Sequence, residues 1–137
     1  MTSKFDQLLA SRRAAALDGA TGTNLQQRGL PSGAPSDLWV LENPQEVLRL
    51  HKEFVAAGSD IILTNTFGGS RIRLSRSGLG ERVLDLNRTA VGLAREAAGS
   101  SALVAGSMGP TGELLKPLGP LDEEIAASAF LEQASAL

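Results

Sequence analysis

The chain of 137 residues contains no cysteine, one histidine and few aromatic residues, which make up 4% of it. Without cysteine, these residues form no disulfide bond and supply no thiolate as a nucleophile or metal ligand. Apolar runs are short as well, and none approaches the roughly 20 residues that a membrane-spanning helix requires. Residues 1–13 carry charged side chains among few apolar ones, unlike a secretory signal. We therefore expect a soluble, cytoplasmic protein that does not contact a membrane.

The chain also lacks a strong excess of charge of one sign. Its formal net charge is -2 and its pI is about 5.4, which disfavours a nucleic-acid-binding surface. Basic residues gather between Arg71 and Arg82, but acidic residues accompany them and aromatic residues are scarce, so a solvated face is the simplest interpretation. A chain of this length is enough for one ordinary domain.

Three short apolar runs each lead into a polar, glycine-containing turn. The runs are residues 14–17, 61–63 and 102–105, and the turns that follow them are residues 18–24, 64–69 and 106–112. Short apolar runs flanked by glycine are typical of buried strands. Because ligands bind at the carboxyl ends of the strands in parallel α/β folds, we expect the three turns to meet at one face.

Amphipathic segments separate these runs. Helices are predicted near residues 3–11, 24–28, 43–57 and 81–98, and from residue 122 onwards. The clearest of them follows Asn43 and Pro44, a favourable N-cap and a favourable first helical residue. Strands that alternate with helices predict an α/β fold with a parallel sheet.

The turn that begins with Asp18 carries the sharpest chemical signal. A carboxylate at a strand end can hold an ammonium group, and the glycines behind it let backbone N–H groups approach a carboxylate or phosphate closely. The alternative is a tight turn in which Asp18 caps a helix. The spacing of Gly19 and Gly22 matches neither the dinucleotide-binding fingerprint nor the P-loop. The turn at 106–112 lacks the Gly-x-Ser-x-Gly spacing of a hydrolase elbow.

His51 and Trp39 each stand alone. No second histidine or cysteine accompanies His51, so we interpret it as a structural residue rather than a ligand or base. We expect Trp39 to pack in the core, as large aromatic side chains usually do.

Several segments, taken together, carry a family resemblance. They are Leu17-Asp18-Gly19-Ala20-Thr21-Gly22-Thr23, Glu42-Asn43-Pro44, His51, the run from Ala57 to Gly68, and Gly106-Ser107-Met108-Gly109-Pro110-Thr111-Gly112. In this order and spacing, from about residue 14 to the end of the chain, they resemble the homocysteine S-methyltransferase family. That family includes the homocysteine-binding module of cobalamin-dependent methionine synthase and betaine–homocysteine methyltransferase.

The resemblance implies a (β/α)8 TIM barrel with parallel strands whose carboxyl-terminal face binds L-homocysteine. Residues 1–137 would be the N-terminal part of that barrel domain, about three β/α units. Asp18 would help to hold the ammonium group of homocysteine, and the backbone from Gly19 to Thr23 its carboxylate. The implied substrate-binding residues are Asp18, Gly19, Ala20, Thr21, Thr23, Thr64, Asn65, Thr66 and Ser107.

The resemblance also implies a zinc ion, held by three cysteine thiolates, that deprotonates the homocysteine thiol. The thiolate would take a methyl group from an activated donor and become methionine. Because this chain has no cysteine, we expect the zinc ligands beyond Leu137, and no catalytic residue or metal ligand within the chain. We expect the chain alone to be inactive. The donor stays open among betaine, S-methylmethionine, S-adenosylmethionine and methylcobalamin, with cobalamin or folate bound through other modules.

Two alternatives remain at this point. The first is a non-catalytic α/β fragment that binds a small amino acid or assembles with a partner chain. The second is a phosphate-handling barrel, which the lack of a basic residue in all three turns disfavours. Since a three-strand piece of a barrel leaves its sheet edges unpaired, we expect the chain to need the rest of a barrel or a partner chain for stability.

Overall fold

A computed structural model describes residues 2–11 and 14–137 of the chain. Within these ranges the chain forms seven α-helices and two β-strands. The helices are α1 (Lys4–Ser11), α2 (Thr21–Gln27), α3 (Trp39–Glu42), α4 (Pro44–Ala56), α5 (Arg71–Ser75), α6 (Val83–Ala98) and α7 (Glu123–Ala136), and the strands are β1 (Ile61–Leu63) and β2 (Leu103–Ala105). Two 3-10 turns, Ser36–Leu38 and Gly80–Arg82, lead into α3 and α6.

Most of the predicted helices are present. The helices expected near 3–11, 43–57 and 81–98 and after 122 are confirmed as α1, α4, α6 and α7. Helix α4 begins as expected, with Asn43 as its N-cap and Pro44 in its first turn. The helix expected at 24–28 starts earlier, at Thr21. The two short helices α3 and α5 were not predicted, because four or five residues are too few to show a helical period.

The sheet is parallel, as predicted, with β1 in its centre. Strand β1 pairs with β2 in the register Ile61↔Leu103, Ile62↔Val104 and Leu63↔Ala105. On the other side, the segment 14–17 runs parallel to β1 but forms only one bridge, Leu17↔Ile61. The predicted first strand is thus shorter than expected.

The side chain of Asp18 explains this early end of the ladder. The Asp18 N–H still donates to the Ile61 carbonyl, at 3.0 Å. The next donor on β1, the Leu63 N–H, instead meets the Asp18 carboxylate at 3.0 Å. A side-chain oxygen therefore takes the place of the next backbone acceptor, and the chain is free to turn away into α2.

Helices α4 and α6 build the core on the outer side of the sheet. Ile62 of β1 is fully buried against Ala94 and Ala98 of α6. A second cluster joins Trp39 to Leu25 of α2 and to α4, which confirms the expected packing role of this tryptophan. A third lies between α5 and α6. No helix in the described ranges is long and apolar enough to cross a membrane.

His51 lies on the buried side of α4. Its side chain is 1% exposed, and neither ring nitrogen has a hydrogen-bond partner among the described residues. Desolvation by burial lowers the pKa of His51 to about 4. The ring is therefore neutral at physiological pH, in agreement with a structural role.

The outer edges of the sheet are open in the part of the chain that the structure describes. Leu17 is 53% exposed, and all three residues of β2 are only half-buried. Helix α7 likewise presents Ile125 and Leu131 to solvent, with 55% and 69% of their surface exposed. Apolar side chains and unpaired strand edges of this kind favour association with further strands and helices.

We predict that residues 1–137, prepared alone, show no cooperative thermal unfolding as a monomer, because their sheet edges and the outer face of α7 stay unpaired. Circular dichroism during heating, combined with sedimentation to establish the mass, measures this. A sharp transition of a monomeric species would contradict the prediction.

Burial of His51 predicts a dependence of stability on pH. Its folded pKa of about 4 lies below the ordinary 6.5, so the unfolded chain takes up the proton first as the pH falls. The free energy of unfolding keeps its full value above about pH 6.5. As the pH falls towards 4, protonation of the unfolded chain lowers it by about 3 kcal/mol in total. The substitution His51→Leu should remove this loss in urea unfolding of the complete protein that contains the chain. The same pH dependence in both proteins would show that another group is responsible.

Candidate functional site

Three polar turns lie at the carboxyl ends of neighbouring parallel strands. Asp18 follows the edge segment, Thr64 follows β1, and Ser107 comes two residues after β2. Hydrogen bonds join them directly: the Asp18 carboxylate accepts the Leu63 N–H at 3.0 Å, and the Thr64 hydroxyl accepts the Ser107 N–H at 2.9 Å. The structure therefore brings the three turns together on a single rim.

The turns after β1 and β2 are closed onto each other by a ring of hydrogen bonds. The Thr66 hydroxyl donates to the Ser107 carbonyl at 2.8 Å, and the Ser107 N–H donates to the Thr64 hydroxyl. The two threonine oxygens are 2.6 Å apart. Because the Thr66 hydrogen is committed to Ser107, Thr64 is the donor between them. Both threonines are buried, so their hydroxyls hold the rim together from within.

Asn65 is committed in the same way. Its Nδ2 donates to the Ser36 carbonyl at 2.8 Å, and its Oδ1 accepts the Ser36 hydroxyl at 2.9 Å. The side chain is buried. Asn65 therefore ties the turn after β1 to the 3-10 turn that precedes α3.

Two buried amides support the same turn from the helix side. Gln133 of α7 donates to the Thr66 carbonyl, and Asn87 of α6 donates to the Gly69 carbonyl, each at 2.8 Å. Both side chains are fully buried. Neither amide was among the predicted site residues, although Asn87 carries a signal: it lies four residues after Val83 and three before Ala90, in the apolar stripe of α6.

Asp18 brings a carboxylate to the rim. Its Oδ2 accepts the Leu63 N–H, whereas its Oδ1 is buried without a partner among the described residues. Desolvation raises the pKa of Asp18, and the Leu63 N–H acts against that rise. The alternative role as a helix cap is wrong, because the N-cap residue of α2 is Ala20 and Asp18 makes no capping hydrogen bond to that helix.

The remaining predicted residues follow Asp18 in the chain or belong to the turn after β2. Gly19 lies against Phe54, where an added Cβ would be 3.2 Å from the ring. Thr21 and Thr23 belong to the first turn of α2 and are at least partly exposed. Ser107 is half-buried, and its hydroxyl makes no hydrogen bond to the described part of the chain. The predicted set thus divides into groups open to a ligand and the closed trio Thr64, Asn65 and Thr66.

Comparison with known proteins identifies the family. Residues 15–137 match the sequence profile of homocysteine S-methyltransferases. The chain belongs to the homocysteine S-methyltransferase family. The resemblance carried by the sequence motifs is thereby confirmed.

Related homocysteine S-methyltransferases are much longer than this chain. It is 33% identical to methionine synthase of Mycobacterium tuberculosis over 139 aligned residues, which cover 90% of the chain and 11% of that protein. It is 38% identical to S-methylmethionine–homocysteine S-methyltransferase BHMT2 of Pongo abelii over 96 residues, which cover 66% of the chain and 24% of that protein. The chain therefore spans about a tenth to a quarter of these relatives.

Solved homocysteine methyltransferase structures share the fold. The metallated form of Escherichia coli MmuM superposes with a TM-score of 0.81 at 24% identity, over 96% of this chain and 52% of MmuM. The oxidised form gives a TM-score of 0.66 at 30% identity, over 77% of this chain and 40% of MmuM. The predicted fold class, part of a homocysteine methyltransferase barrel, is confirmed.

The chain does not itself supply the donors of a thiolate zinc site. It has no cysteine, and within residues 2–11 and 14–137 no three His, Asp or Glu side chains gather where they could hold a metal ion. The residues present do not fit the zinc ion that the family resemblance implies. Zinc in the complete protein would need donors from elsewhere.

Gly69 is held so closely that no side chain fits there. A Cβ at this position would lie 2.6 Å from Asn87 Oδ1, 2.9 Å from Gln133 Nε2 and 3.0 Å from the Thr66 carbonyl. Any side chain would push the two amides away from the turn. By contrast, a Cβ added to Gly92 on α6 would meet no atom of the described residues within 4 Å.

We predict that Gly69→Ala destabilises the complete protein by about 1–3 kcal/mol, because it overpacks a buried polar network. The matched control Gly92→Ala should instead stabilise it by about 0.5–1 kcal/mol, since alanine is the better helix former. Urea unfolding of both variants measures the difference. If both substitutions change the free energy of unfolding equally, the turn accommodates a side chain at Gly69 and the prediction is wrong.

Proposed function

We propose that this chain forms the part of a homocysteine S-methyltransferase that holds the amino-acid end of L-homocysteine. The observation that carries the proposal is the state of Asp18. This carboxylate lies at the carboxyl rim of the parallel strands, is oriented by the Leu63 N–H and keeps one buried oxygen without a partner among the described residues. Family membership supports homocysteine as the substrate.

In the proposed complex, the ammonium group of homocysteine donates to Asp18 Oδ1. A hydrogen bond between two charged groups contributes about 1.5–3 kcal/mol. The positive charge of the ammonium also lowers the pKa of Asp18 and so opposes the rise that desolvation causes. Asp18 would therefore be ionised in the complex over a wider range of pH than in the free protein.

The other predicted residues complete the proposed pocket. The carboxylate of homocysteine would accept hydrogen bonds from the backbone N–H groups between Gly19 and Thr23, since the first amides of a helix have no acceptor within the helix. Thr21, Thr23 and Ser107 offer hydroxyls around Asp18 and across the rim. Thr64, Asn65 and Thr66 would contribute as the wall that keeps the turns in place, given their internal hydrogen bonds.

Methyl transfer itself would use groups outside these residues. The reaction we propose for the complete protein breaks the bond between the methyl group and its donor, forms a bond from that carbon to the homocysteine sulfur, and releases the thiol proton, giving methionine. Because the side chains of this chain do not form a zinc site, we place the activation of the thiol in other parts of the complete protein. We place the binding of the methyl donor there as well.

The experiment is calorimetric titration of the complete protein with L-homocysteine, with and without zinc, and with 4-mercaptobutyrate, which has the thiol and carboxylate but no ammonium. We predict that Asp18→Asn weakens homocysteine binding about tenfold or more and leaves the weaker binding of 4-mercaptobutyrate unchanged. Asparagine keeps an acceptor for the Leu63 N–H, so the fold should persist. Asp85→Asn on the exposed side of α6 is the matched control.

Two results would contradict the proposal. The first is a complete protein that does not bind homocysteine at all, which would favour a non-catalytic fragment. The second is an equal loss of affinity for both thiols in Asp18→Asn, because that would show that the substitution damages the pocket rather than removing an ammonium contact.

A further inference from the structure

Ser36 and Asp37 reach across the structure to the turn after β1. The Ser36 hydroxyl and carbonyl bind the two ends of the Asn65 carboxamide, at 2.9 and 2.8 Å. The next residue, Asp37, accepts the Gly68 N–H at 2.9 Å through its Oδ1. Two consecutive residues of the 3-10 turn therefore bind the turn after β1 at two positions, Asn65 and Gly68.

Asp37 makes this contact from a buried position. Only 5% of the residue is exposed. Desolvation raises the pKa of its carboxyl, while the Gly68 N–H and the charge of Arg73 act in the opposite direction. Burial of a carboxylate is costly unless hydrogen bonds and charges compensate it. The buried Asp37 carboxylate therefore depends on its bond to the Gly68 N–H.

Gly68 is shaped to accept this carboxylate. A Cβ on Gly68 would lie 2.6 Å from Asp37 Oδ2 and 3.3 Å from Asp37 Cγ. The glycine thus lets the carboxylate approach the backbone at a distance that no other residue permits. The close fit leaves the turn little freedom to move relative to the 3-10 turn.

The held turn is the one that positions the proposed amino-acid pocket. Asn65 and Gly68 stand on either side of Thr66, whose hydroxyl closes the ring with Thr64 and Ser107. Thr64 in turn follows Leu63, whose N–H orients the Asp18 carboxylate. Movement of this turn would therefore be transmitted both to Asp18 and to the loop after β2.

We propose that Ser36 and Asp37 are positioning residues of the homocysteine pocket. They act through Asn65 and Gly68 and do not touch the ligand themselves. The inference rests on the proposed function, since it concerns the same pocket. Loss of either contact is expected to weaken binding of homocysteine through a displaced turn, while the overall fold remains.

The test uses the complete protein and three measurements: affinity for L-homocysteine by calorimetry, the thermal midpoint, and exchange of the Gly68 amide hydrogen. Asp37→Ala should weaken binding about fivefold or more and expose the Gly68 amide to exchange, because its acceptor is gone. Asp37→Asn keeps an acceptor oxygen and should restore most of both. Ser36→Ala, a milder change, should weaken binding about twofold.

Leu50→Ala provides a control for stability, since Leu50 is buried in the core beside α2 and its apolar side chain takes no part in the hydrogen bonds of the turn. It should lower the thermal midpoint without changing homocysteine affinity or exchange at Gly68. If Asp37→Ala does not fold, Ser36→Ala and Asp37→Asn still decide the question.

Four outcomes separate the possibilities. Weaker binding in Asp37→Ala and Ser36→Ala, recovered in Asp37→Asn, supports the inference. Unchanged binding in Ser36→Ala and Asp37→Ala overturns it and leaves the proposed function intact. An equal loss of affinity in Leu50→Ala also overturns it, because general destabilisation would explain the effect. A wild-type protein that ignores homocysteine removes the proposed function and this inference with it.

Discussion

The structure depends on the hydrogen bonds that hold the turn from Thr64 to Gly69. Four neighbouring segments form hydrogen bonds with this turn. Ser36 belongs to the 3-10 turn, Ser107 to the loop after β2, and Asn87 and Gln133 to α6 and α7. Asn87 and Gln133 are fully buried, and Ser36 and Ser107 bond to the buried side chains of Asn65, Thr64 and Thr66. In such surroundings an unpaired polar group would cost about 1–3 kcal/mol. These hydrogen bonds fix the position of the turn, and the carboxyl rim of the sheet takes its shape from it.

This constraint also decides which polar groups remain available. The hydroxyls of Thr64 and Thr66 and the carboxamide of Asn65 are used inside the protein. Asp18 stands at the edge of the sheet, where one of its oxygens completes the ladder and the other has no partner in the described part of the chain. Asp37 spends its Oδ1 on the Gly68 N–H, whereas Asp18 offers an oxygen that suits the binding of a single cationic group.

The sequence predicted the elements that repeat a pattern and missed the contacts that join them. Helices α4 and α6 have apolar stripes and clear ends, so their positions followed from periodicity. The carboxyl-end turns followed from the alternation of apolar runs and glycines. The roles of Asn65 and Asp37 did not, because their partners lie about thirty residues away in the chain and only the folded structure brings them together.

The segment 14–17 shows a subtler limit. Its small apolar residues predicted a strand, yet a side chain ended the ladder after one bridge. Sequence patterns report which residues are buried, whereas the length of a strand also depends on which acceptor is offered to each N–H. Asp18 was correctly placed at the rim, but its competition with the backbone for Leu63 could not be read from spacing.

The most direct measurement is a crystal structure of the complete protein with L-homocysteine bound. The account predicts the amino nitrogen within about 2.7–2.9 Å of Asp18 Oδ1, the distance of a charge-assisted hydrogen bond, with the turn from Thr64 to Gly69 unmoved. A homocysteine molecule bound at the opposite ends of the strands, or at this rim with its ammonium turned away from Asp18, would contradict it.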